Sequence, residues 1–115
     1  MIEALVISYL NSVLVPPVSG EIPANVPVTF VTVEKTGSSI TNHIETATLA
    51  IQSWAGSQAD AMMLNKQVKK AMFDMLVLDS ISSVDLNTDY NFTDTTTKHH
   101  RYQAVFEVVY YIEEE

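Results

Sequence analysis

Arg101-Tyr102-Gln103-Ala104-Val105-Phe106-Glu107-Val108-Val109-Tyr110-Tyr111-Ile112 is the stretch on which the fold turns. Successive side chains of a strand point to opposite sides, so Tyr102, Ala104, Phe106, Val108, Tyr110 and Ile112 share one face. The other face carries Gln103, Val105, Glu107, Val109 and Tyr111. It is too apolar for a freely solvated surface and predicts partial cover by a helix or a neighbouring subunit.

Working backwards, a second strand is predicted near Ile81–Asn91, joined to the last one through the polar tip Thr93-Asp94-Thr95-Thr96-Thr97-Lys98. Before it lies the clearest helix. Ser57 and Asp60 have the spacing of a capping box, and Ala61, Leu64, Val68, Ala71, Met72, Met75 and Leu78 form an apolar stripe behind it. Met62, Met63, Met72 and Met75 read as core filling on or beside that stripe. Upstream, Val28–Val33 alternates β-branched and aromatic residues, with both faces apolar enough that either could point inward. Lys35-Thr36-Gly37-Ser38-Ser39 reads as a turn or loop by composition, and a further strand is expected from about His43 to Ser53. The chain opens with an amphipathic helix, Ile2, Leu5, Val6, Tyr9, Leu10, Val13 and Leu14 lying on one side. Val15-Pro16-Pro17 ends it, because proline lacks the amide and pushes its predecessor out of the helical region. Residues 16–27 then read as an irregular connector with a short extended piece around Val18.

The predicted order is α-β-β-α-β-β, a single α+β domain over residues 1–115. Its mainly antiparallel four-stranded sheet carries the helices on one face and has two long hairpin loops. A chain of 115 residues suffices for one core. Apolar runs are too short for a membrane span, and Met1-Ile2-Glu3-Ala4 lacks the basic start of a signal peptide.

Chemistry-bearing motifs are sparse. Cysteine is absent, and the glycines at 20, 37 and 56 make no phosphate loop. Adjacent His99 and His100 point to opposite faces of a strand, and with His43 they read as polar residues at hairpin bases more readily than as metal ligands. The expectation is therefore no enzyme, no cofactor and no metal. Fourteen acidic against six basic residues give a charge of −8, which repels phosphates and opposes tight DNA binding. Lys66, Lys69 and Lys70 form a small basic patch, either a solvated helix face or an intersubunit contact with acidic groups. Trp54, just before the capped helix, suits equally a plug at the end of the core and an interface anchor.

Three stretches, in order, resemble one family. Val26-Pro27-Val28-Thr29-Phe30-Val31-Thr32-Val33-Glu34-Lys35-Thr36-Gly37 is similar to a segment of siphophage tail-terminator and tail-completion proteins. Ala50-Ile51-Gln52-Ser53-Trp54-Ala55 followed by Ala59-Asp60-Ala61 resembles their passage from strand to long helix, and Arg101-Tyr102 resembles the opening of their last strand. The family often has two glycines where this chain has Gly37-Ser38. The resemblance implies a structural virion protein, assembled in the host cytoplasm and sited in the tail or neck. It implies a ring, hexameric in the family, that caps the tail tube, fixes tail length and meets the head–tail connector. DNA would pass through its lumen without specific binding, and no membrane is involved. Its contacts with ring neighbours or the tube would be made by Thr36, Gly37, Ser38, Ser39, Asn42, Thr95, Thr96 and Lys98 at the two tips, with Trp54, Lys66, Lys69 and Lys70 as further interface candidates. A head-completion or connector subunit is the nearest alternative, and a monomeric ligand-binding domain with a pocket between helix and sheet is a more distant one.

Overall fold

The computed structural model describes residues 2–22, 24–25, 27–93 and 99–111. In chain order the elements are α1 (Ile2–Val13), β1 (Val18–Ser19), β2 (Phe30–Thr41), β3 (Ile44–Ala55), α2 (Gln58–Asp74) with a 3-10 turn at Met75–Val77, β4 (Ile81–Asn91) and β5 (His100–Tyr111). The five strands form one sheet in the order β1-β2-β3-β5-β4.

This corrects the predicted sheet in two ways. The order is α-β-β-β-α-β-β, and the sheet is mixed, because β1 runs parallel to β2 with Val18 opposite Val31 and Ser19 opposite Thr32. The connector after α1 hides the extra strand. Two residues are too few to show a period of two, and what makes them a strand is a tertiary contact: the Val31 amide donates to the Pro17 carbonyl at 2.9 Å. The second correction concerns the first hairpin. Residues 35–41 are strand and not loop, and the connection shrinks to Asn42 and His43, whose φ angles are 52° and 64°. Positive φ at both central residues is the signature of the two-residue turn whose twist matches paired strands. Thr36 forms a bulge between Lys35 and Gly37, and its hydroxyl donates to the Thr48 carbonyl at 3.4 Å. The tip at residues 94–98, the second predicted loop, lies outside the described residues.

α1 packs on β1 and β2, and α2 packs on β3, β5 and β4. Both helices lie on the face carrying Val31, Val33, Leu49, Ile51, Ala104, Phe106 and Val108, which are buried together with Ile2, Val6 and Leu10 of α1 and Leu64, Val68, Met72 and Met75 of α2. Ser57 accepts the Asp60 amide at 3.2 Å, so the α2 start forms where the capping pattern expected it. Met72 and Met75 are in the core, while Met62 and Met63 are exposed. The molecule is elongated, 44 × 24 × 24 Å, because β2, β3 and β5 each run for twelve residues.

Candidate assembly surfaces

The register places a second set of side chains on the sheet face away from the helices. Phe30, Thr32 and Glu34 of β2 lie beside Trp54, Gln52 and Ala50 of β3. Those lie beside Arg101, Gln103 and Val105 of β5, which meet Tyr90 and Thr88 of β4. Among the described residues no helix or strand lies over this open face.

One end of the open face is an aromatic row. Phe30 and Trp54 stack with centroids 5.1 Å apart and planes 10° apart. The Arg101 guanidinium sits over Trp54 at 4.6 Å and over Phe92 at 4.4 Å, and Phe92 meets Tyr90 edge to face at 5.7 Å. Weakly hydrated, planar guanidinium favours such ring faces. Its Nε donates to the Phe92 carbonyl at 2.6 Å, which holds the plane in place. A polar row runs alongside: Gln52 donates to Gln103 at 2.7 Å, and Gln103 donates to the Tyr90 hydroxyl at 2.5 Å. The Trp54 indole N–H is satisfied by the Thr32 hydroxyl at 3.3 Å. Trp54 is therefore buried on the open face, stacked under the chain's single arginine, and not at the end of the helix-side core. A cavity of about 340 Å³ adjoins it, lined by Pro27, Val28, Phe30, Ala55, Gly56 and His99 as well.

Further along, the same face becomes acidic. Glu107 stands opposite Asp85 across the β5–β4 pair, and Glu34 projects from β2. Like charges directly opposite one another cost stability in an isolated sheet.

The sheet also has two long free edges. β1 covers only Val31 and Thr32 of β2, so Val33–Thr41 has no outer strand among the described residues, and neither has β4. Thr36, Gly37, Ser38 and Ser39 lie on the first of these edges, all exposed, with Asn42 in the turn beyond. The stretch Thr36–Asn42 contains neither charge nor proline, the usual devices that keep an edge from pairing. β4 is broken by bulges at Ser82 and Asn87.

The three lysines of α2 separate. Lys66 is exposed, Lys70 makes an exposed ion pair with Asp74 at 3.0 Å, and Lys69 reaches Asp89 of β4 at 2.8 Å, where Asn65 also donates at 2.9 Å. Lys69 thus ties α2 to the sheet. Thr95, Thr96 and Lys98 lie outside the described residues. His43 stands in the turn at the far end of β3 from His99 and His100, so the three histidines do not converge. Among the described residues no cluster of three or more His, Asp or Glu could hold a metal ion, and no helix is long and apolar enough to cross a membrane. The open-face row was not anticipated: Phe30, Arg101, Phe92 and Tyr90 come from three strands or their ends, and only the register unites them.

No known protein family matches the chain, and no curated protein matches it.

Proposed function

We propose that this chain is a structural, non-enzymatic ring subunit of a bacteriophage particle, a tail terminator that caps the tail tube and joins it to the head connector. The observation that carries the ring is the pair of free edges on opposite sides of one sheet. An unguarded edge such as Thr36–Thr41 is a template for another strand, and in a single chain the complementary edge is β4 of the next copy. Such a contact is heterologous, so it closes into a ring when the rotation between copies allows. The choice of a phage tail rests on the sequence resemblance.

With sheets joined edge to edge and helices outside, the open face becomes the inner wall. Among the described residues its carboxylates, Glu34, Asp85 and Glu107, then outnumber Arg101 and repel DNA phosphates, so that the duplex slides without sticking. A ring whose lumen proved basic would remove this part of the proposal. The whole reading is tested by negative-stain imaging with light scattering of the purified protein, alone and with tail-tube protein. Rings or capped tubes are expected. A persistent monomer that never touches tube ends overturns it, and capture by the portal or adaptor ring instead of the tube would reassign the chain to the head side of the neck.

A further inference from the structure

The aromatic cavity and the acidic segment that follows β5 in sequence are chemically opposite. At one end of the sheet, where Ala55 pairs with His100, His99 lines the aromatic cavity and Arg101 sits over its Trp54 at 4.6 Å. At the other, Ile44 pairs with Tyr111, after which the sequence reads Ile112-Glu113-Glu114-Glu115. We propose that this segment of one copy docks in the aromatic cavity of the next, Ile112 entering the cavity and the glutamates meeting Arg101 and His99.

Reach excludes the intramolecular version. From Ile44 to Ala55 the sheet runs eleven residue steps, about 36 Å at ~3.3 Å each. A four-residue segment such as 112–115 spans at most about 14 Å even when fully extended. The occupant therefore belongs to another copy, arranged head to tail.

The chemistry of the two parts agrees. At about 340 Å³ the cavity is at the small end of ligand pockets and accepts one apolar side chain with its neighbouring backbone. Its floor of stacked rings offers no free donor, since the Trp54 N–H is engaged by Thr32, so an apolar group fits it best. Carboxylates just after that group find the only arginine of an otherwise acidic chain. This contact is distinct from edge pairing and does not depend on the phage reading.

Trp54 is the sole tryptophan, so its emission reports the cavity directly. A synthetic hexapeptide Tyr110–Glu115 titrated into the full chain is expected to shift that emission saturably. A peptide with lysines in place of the three glutamates should bind about tenfold more weakly, and added salt should erase the difference. The full chain carrying Arg101→Glu should reverse the preference between the two peptides, which also shows that its cavity is still formed. The chain carrying Glu113→Lys, Glu114→Lys and Glu115→Lys should lose salt-sensitive self-association in sedimentation while still taking up the wild-type peptide. No emission change with either peptide, or equal binding of both, overturns the proposal.

Discussion

The side chain of Asn11 and the backbone of Val18 exchange two hydrogen bonds, the amide N–H donating to the Val18 carbonyl and the Val18 N–H to the amide oxygen, each at 2.9 Å. An asparagine amide has the donor and acceptor geometry of a peptide group, so it pairs with the outer edge of β1 as a further strand would. The other edge of β1 pairs with β2. A two-residue strand is thereby satisfied on both sides, and α1 is fastened to the sheet.

Asn11→Ala is accordingly expected to destabilise the fold by about 1–2 kcal/mol, the usual cost of leaving part-buried backbone groups unpaired. The loss should be local first. Hydrogen exchange at the Val31 amide, which donates to Pro17, should quicken, while exchange in α2 should follow global stability only. Equal acceleration in both places would contradict the clamp.

The second prediction concerns the β2–β3 turn. His43 has φ of 64°, a region where a side chain ordinarily costs about 1 kcal/mol and glycine costs nothing. Asn-Gly is the preferred pair for this turn, so His43→Gly should raise stability by about 0.5 kcal/mol. His43→Val, with a branched Cβ, should lower it by about 1 kcal/mol or more. Denaturant midpoints at constant slope give the order Gly, His, Val.

This turn also shows why the sequence misled at the first hairpin. Thr36-Gly37-Ser38-Ser39 has loop composition because its side chains face solvent and a potential neighbour, and small polar residues then carry no periodic signal. Gly37 signals no turn either, having open space around it and an ordinary backbone. Where burial does the specifying, in the β5 faces and the α2 stripe, the pattern was legible and the elements fall close to where it put them. The capping serine was legible for the same reason, being a local interaction. Asn11 with Val18, Lys69 with Asp89, and Arg101 between Trp54 and Phe92 were not, because each joins elements whose relative placement only the folded sheet sets.

The third prediction follows from Asp89. The Lys69 ammonium, hydrogen-bonded at 2.8 Å, holds its carboxyl below the usual range, with help from Asn65 and against the effect of burial. A carboxyl whose pKa is lowered by folding stabilises the fold above its unfolded value, about 3.9. That contribution fades as pH falls below about 4 and through the folded value. Both partners are over a quarter exposed, so solvent screening limits it to about 1 kcal/mol. Asp89→Asn should therefore lose about that much at neutral pH and flatten the acid limb of a stability–pH curve. An unchanged acid limb would mean that the bridge contributes nothing.

The last prediction separates association from folding. Ile40 is 61% exposed on the outer part of β2, two residues before the turn, and pairs with Glu45 of β3. In an isolated chain Ile40→Lys removes little buried surface, so its unfolding free energy should stay within about 0.5 kcal/mol of wild type. On an edge that pairs with β4 of another copy, an added lysine is the device by which sheet proteins refuse such pairing. The variant should then be monomeric under conditions where the parent forms rings, and it should fail to cap tubes. Light scattering distinguishes the cases directly. Rings formed equally well by Ile40→Lys would move the interface off this edge, leaving the head-to-tail contact through Arg101 and Trp54 as the one to examine, because that contact lies at the other end of the sheet.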